Sequence, residues 1–430
     1  MRNPTRVLHL ALAAACVVAC AAPSLLAQAR TPAPTKDSAQ VVYDDDGLRI
    51  HSADKKKQLK IRGYAVGEYH AQLTDTSDAL TNGFSLKRAR LTFDANLNAW
   101  IAARVMFDVG PPSSTSPIQD AYVDVGLGGT WWLRAGKQKT PFGLERYMST
   151  AYQLLPDRSI AANLHGSRDM GLLLTGSVFD QHLDLSLGVF DGVPDGNGTQ
   201  DSDPNDGKDV TYRVWWKPVR TKVKGVEQGF GLAFNGSTGM ESSPSATGAK
   251  LPVFKTIGTS TFFNYLESGG VRAAGRHSRN GVFSYFHSGA FGTLAEWFGN
   301  SQAVMKGAST ATIATGGWVA NAQYSLTGEP SAQEGLTPTA VFDPEKGNWG
   351  AWQLGIRAAQ IRVGDEAFPV YADSTVAARG ALETGVALNW FITRSTRMQF
   401  AYEHTTFKGG SKKGDRKTEQ FIQIRWQAYF

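Results

Sequence analysis

The sequence predicts an all-β protein, a transmembrane antiparallel β-barrel of about sixteen strands. Two observations carry this. From residue 58 to 430 the chain repeats one pattern, roughly ten residues of alternating polarity followed by a Gly/Asp/Asn turn or a longer polar loop. The polar side of several segments is also too charged for a protein core, so the apolar side is the one that leaves water. Beyond the N-terminus no stretch approaches the roughly 18 apolar residues of a membrane-crossing helix.

Taken in order, residues 1–29 read as a secretory signal: Arg2 and Arg6, an apolar run from Val7 to Ala22, then Ala27 and Ala29 placed for cleavage after Ala29. The competing reading is lipid attachment at Cys20 in "VVAC". Cys16 and Cys20 are the only cysteines and both precede the cut, so the mature chain has no disulfide to stabilise it. Residues 30–57, with prolines and the Lys55–Lys57 run, form a charged, irregular or short-stranded lead-in.

The barrel spans 58–430. In "RARLTFDANL", Ala89, Leu91, Phe93, Ala95 and Leu97 oppose Arg88, Arg90, Thr92, Asp94 and Asn96. In 101–108, Ile101, Ala103, Val105 and Phe107 oppose Arg104 and Asp108. In 120–127, Ala121, Val123, Val125 and Leu127 oppose Asp120, Tyr122 and Asp124. The C-terminal "FIQIRWQAYF" sets Ile422, Ile424, Trp426, Ala428 and Phe430 against Gln423, Arg425 and Gln427. Tryptophans cluster near segment ends, as interfacial girdles would place them. Helical periodicity is weak throughout, with 144–165 its only candidate.

The formal charge of +6 falls to +4 without Arg2 and Arg6, too small an excess to indicate nucleic-acid binding. The eight histidines lack metal spacing, and no nucleophile motif or P-loop occurs, so neither an enzyme nor a bound cofactor or metal is expected. "DGNGTQDSDPNDG", within 191–207, is similar to a calcium loop, but its Gly comes one position late and Tyr212 replaces the closing Glu; it reads as a surface loop.

The stretches "FSLKRARLTFDANL", "IQDAYVDV", "RAGKQKTPFGLERYMST", "LPDRSIAANL", "RDMGLLLTG", "YSLTGEP" and "GVALNWFITRSTRMQFAYEHT", in this order, resemble the phosphate-selective porins O and P of Gram-negative outer membranes. The resemblance implies a sixteen-stranded barrel in the outer membrane, usually a homotrimer, passing inorganic phosphate or other small anions. It implies that 139–167 is a third loop folded into the lumen as a constriction, bearing Arg146, Ser149, Thr150 and Arg158. On the wall it implies a basic pair, Lys87 and Arg88, with the acid Asp120 among them. Phe430 is similar to the terminal aromatic by which barrel assembly machinery recognises such proteins for insertion among outer-membrane lipid. Arg62, Tyr64, Arg90 and Arg104 complete the expected lumen wall; Tyr64 stands where relatives can carry an arginine.

Guanidinium forks suit a tetrahedral oxyanion, and hydroxyls replace lost water without adding charge. An acid among them weakens binding enough for the ion to leave. Lys87 lies on the apolar parity of its strand, which puts it at the rim or snorkelling. Arg146 and Arg158 have a plainer reading, pinning the loop to wall acids such as Asp120 or Asp124. Arg272, Arg276 and Arg279 are candidates for gathering anions outside the pore. The alternative functions are a general low-selectivity porin and a plugged structural or surface-binding barrel.

Overall fold

A computed structural model describes residues 39–44, 47–74, 82–110, 117–196, 201, 206–223, 226–243, 251–332 and 335–430; the signal segment and Cys20 lie outside them. Sixteen strands close one antiparallel barrel: β1 (Gln58–Gln72), β2 (Gly83–Asn96), β3 (Ile101–Asp108), β4 (Ile118–Gly128), β5 (Trp131–Gln138), β6 (Asp169–Val178), β7 (Leu183–Phe190), β8 (Asp209–Val223), β9 (Val226–Ser242), β10 (Val271–Ser288), β11 (Phe291–Lys306), β12 (Ser309–Ser325), β13 (Ala351–Val363), β14 (Ala378–Phe391), β15 (Thr396–Ser411) and β16 (Glu419–Tyr429). Closure pairs β16 with β1, from Phe421 opposite Gln72 to Tyr429 opposite Tyr64. Closure leaves no open edge for a hydrocarbon that offers no hydrogen bonds.

The two faces sort as the alternation predicts. Trp426 and Ala428 are exposed on the outer wall, whereas Gln423, Arg425 and Gln427 are buried inside. Two outer-wall glycines of β1 receive aromatic rings from the C-terminal strand: a Cβ on Gly63 would meet the Phe430 ring at 2.2 Å, and one on Gly67 would meet Trp426 at 2.3 Å. The lead-in contributes a hairpin, Gln40–Asp44 with Gly47–His51, whose second strand pairs with the start of β1.

Helix is nearly absent from 144–165: one turn, Leu144–Tyr147, and 3-10 turns at Thr150–Tyr152 and Ile160–Leu164. The irregular backbone is tolerated because wall side chains bind it. Glu296 accepts from the Leu144 and Glu145 N–H groups, Glu383 accepts from Ile160 N–H, and Gln399 and Asn389 donate to the Leu154 carbonyl. Segment 139–167 therefore crosses the lumen from β5 to the inner faces of β11 to β16. Segment 251–270 folds in beside it, and Phe254, Phe262, Phe263 and Tyr265 pack with Ile160, Leu164, Phe298 and Ile313 into the main apolar core. From the other end, Gly335 of the 326–350 connection reaches the Tyr152 ring. Loops thus fill one side of the lumen and leave a cavity along the β1–β5 wall.

Some tryptophans depart from the girdle pattern. Trp215 points inward onto Phe283 and Tyr285, and Trp297 and Trp318 sit opposite each other in mid-strand.

Candidate functional site: a basic cavity against the barrel wall

The cavity beside the loops has a volume of about 590 Å³, and all eleven wall and loop residues expected from the sequence line it: Arg62, Tyr64, Lys87, Arg88, Arg90, Arg104, Asp120, Arg146, Ser149, Thr150 and Arg158. It also takes Arg134, Lys139, Lys255 and Arg168, which the sequence reading missed.

The strand parity of Lys87 misleads. The β1–β2 register slips between Val66 opposite Arg88 and Gly67 opposite Leu86, so Lys87 is the extra residue of a β-bulge. The bulge turns it into the lumen beside Arg88. There its Nζ lies 3.2 Å from Asp157 and 3.6 Å from Glu68. The rim or snorkelling placement is therefore wrong: a single inserted residue reverses the face.

Most wall cations are held by carboxylates. Arg62 and Arg104 share Asp94, the latter at 2.5 Å; Arg90 binds Asp108 at 2.8 Å, and Arg134 binds Asp124 at 2.6 Å. Tyr122 lies between Arg104 and Arg134, whose guanidinium carbons stand 5.8 and 3.8 Å from its ring centre. The Tyr64 hydroxyl donates to Gln427 at 3.1 Å. Asp120 pairs with Arg168 at 2.6 Å.

The loop cations are held differently. Arg146 donates to the carbonyls of Ala162, His165 and Gly196, and Arg158 to those of Glu145, Arg146 and Met148. Lys139 donates to the carbonyls of Tyr147 and Met148. The plainer reading, in which Arg146 and Arg158 pin the loop to Asp120 or Asp124, does not hold, because those acids bind Arg168 and Arg134. Carbonyls satisfy N–H groups without cancelling their charge. Among the described residues, Arg88 and Lys255 have no carboxylate within 4 Å.

Eleven basic side chains and two acidic ones, Asp120 and Asp157, line the cavity. Burial brings Arg146 down to about 10, which still leaves it charged at neutral pH. Burial and the neighbouring Arg146 and Arg88 depress Arg158 well below its ordinary value, and an anion beside it would act in the opposite direction. Burial also works against the charge of Asp157, but Arg425, Lys87 and Arg88 outweigh it and hold the carboxyl well below the ordinary carboxylate range.

The hydroxyls complete the lining. Thr150 accepts from Arg90 at 3.3 Å, and Ser149 caps its turn by accepting from Ala151 N–H at 3.3 Å. Elsewhere, Arg279 is buried against Asp195 and Asp209, while Arg272 and Arg276 face outward from β10, so the three do not form one cluster that could gather anions outside the pore. Asp195, from the calcium-like loop, is spent on that pair. Among the described residues no His/Cys/Asp/Glu cluster of metal-holding geometry occurs.

A closed sixteen-stranded barrel with charged loops folded into a basic lumen is the architecture of an outer-membrane diffusion channel. The model of the phosphate-selective porin O and P family matches residues 63–430, and the chain belongs to that family. No curated protein sequence matches it. Among solved structures, it is similar to the outer-membrane channel DcaP of Acinetobacter baumannii at 10% identity and TM-score 0.53, over 90% of this chain and 99% of that one. It is similar to an anion-selective porin from Comamonas acidovorans at 11% identity and TM-score 0.52, over 87% and 100%. The trimer form of Vibrio cholerae OmpT gives 9% identity and TM-score 0.52, over 87% and 100%. At such identities the likeness is one of fold.

Proposed function

We propose that this porin passes small anions by diffusion, with phosphate or a related oxyanion as its preferred solute, through a constriction formed by segment 139–167 against the β1–β5 wall. The observation that carries the reading is the excess of eleven basic side chains over two acidic ones around one cavity. Arg88, Lys87, Arg158 and Arg146 supply the charge; Ser149 and Thr150 stand in for lost water; Asp120 weakens the hold so that the ion leaves. The anion selectivity of the Comamonas porin agrees with this role. The unit in the membrane is a homotrimer, as in the trimer form of OmpT, and Phe430 is its assembly signal.

The test is chloride current through single channels titrated with phosphate. Phosphate blocks the wild type, and Arg88→Gln with Arg158→Gln raises the half-blocking concentration by at least about tenfold, since each hydrogen bond to a charged group contributes about 1.5–3 kcal/mol. Equal block in both would make this a general pore, and absence of current from folded protein would make it a plugged barrel.

A further inference from the structure

The outer wall carries a second basic site that the pore does not use. Along one register row, Asn280, Gly299, Gly316, Arg362, Gly380 and Lys408 lie side by side on β10 to β15. Arg362 and Lys408 are exposed and flank Gly380, about 10 Å apart across two strand spacings. Among the described residues neither has a carboxylate within 4 Å. The two acids nearest in sequence are already committed: Asp365 to Arg379, and Glu366 to the Ala314 N–H. In that row Gly299 and Gly316 floor a groove of about 1020 Å³, bordered two residues nearer the other end of the wall by Trp297 and Trp318.

The height of Arg362 on the wall identifies its surroundings. Trp352 and Trp390 are opposite each other at the other end of the wall, in the aromatic girdle. From Trp352 to Arg362 is ten residues of one strand. At about 3.3 Å per residue and a tilt near 40°, this is about 25 Å, the thickness of the apolar band. Arg362 and Lys408 therefore stand where lipid head groups begin, and the groove lies at acyl-chain depth beneath them. Uncompensated cations at that boundary complement an anionic head group.

We propose that this groove binds a phosphorylated lipid of the outer leaflet, its phosphate held between Arg362 and Lys408 and one acyl chain lying over Gly299 and Gly316 against the tryptophans. The inference rests on the barrel spanning the membrane, not on what passes through it.

The test is native mass spectrometry of the detergent-solubilised barrel with bis-phosphorylated lipid A, alongside its dephosphorylated form. The wild type should retain the phosphorylated lipid selectively. Arg362→Gln with Lys408→Gln should weaken retention on the order of thirtyfold, while Gly316→Leu, which fills the groove, should weaken both lipids. Heat-modifiable migration and unaltered conductance would show that the variants are folded. Equal retention by wild type and the double variant, or equal retention of the two lipids, would overturn the proposal. So would disulfide cross-linking between copies carrying Ser301→Cys, which would make this face a subunit contact.

Discussion

Replacing Arg425 by methionine should unseat the lumen loop. Its guanidinium reaches Asp157 of the loop at 2.9 Å and Glu68 of β1 at 2.8 Å, and also donates to the Pro156 carbonyl. Arg425 and Glu68 are 2% and 1% exposed, so removing the cation leaves buried negative charge held only by Lys87, by the charge of Arg88 acting on Asp157, and by contacts from Gln423 and His70. Breaking a buried pair in this way costs about 3–5 kcal/mol. If about 3 kcal/mol of it falls on the seating equilibrium, the unseated fraction rises roughly a hundredfold. The loop stays tethered through Arg357, which binds Glu383 and Glu403 and donates to the Asp157 carbonyl, so the barrel still folds. Single-channel records should show frequent brief closures, and limited proteolysis should cut within 139–167. Adding Glu68→Gln removes the stranded charge and should restore most of the quiet current. Unchanged noise in the single variant, or simple addition in the double, would refute the clamp.

Asp120→Asn leaves Arg168 without its partner and adds one positive charge to the cavity; phosphate block should tighten roughly fivefold or more while conductance falls, read in the same bilayer titration. Gly67→Val forces the Trp426 ring off the closing strand and should lower the thermal midpoint in detergent, for a cost of about 1–3 kcal/mol. The carboxyl of Asp157 is depressed, so its contribution is complete above the ordinary carboxylate range and is lost only as pH falls through the depressed value. Current should be as quiet at about pH 5 as at neutral pH and become noisy only well below about pH 4.

The barrel was legible because lipid and water demand opposite side chains at alternate positions, and the C-terminal strand states that demand plainly. Lys87 was not, because a bulge breaks the period without any local mark beyond the paired cations. Arg134 was within reach, since it alternates with Leu133 and Ala135. Arg168 lies one residue beyond the loop boundary expected at 167. Lys255 sits in a loop whose inward turn no periodicity records; its signal was the aromatic content of "VFKTIGTSTFFNYL", too apolar for a loop facing water. That Arg146 and Arg158 bind carbonyls and not wall acids depends on the path of an irregular backbone, which residue types alone do not specify.

The measurement that bears most directly on the central claim is the reversal potential of the wild-type channel in a planar bilayer under a potassium chloride gradient. A cavity lined by eleven basic side chains and two acidic ones predicts a potential of the sign set by chloride and displaced toward its equilibrium value. A potential near zero, or one of the potassium sign, would contradict it.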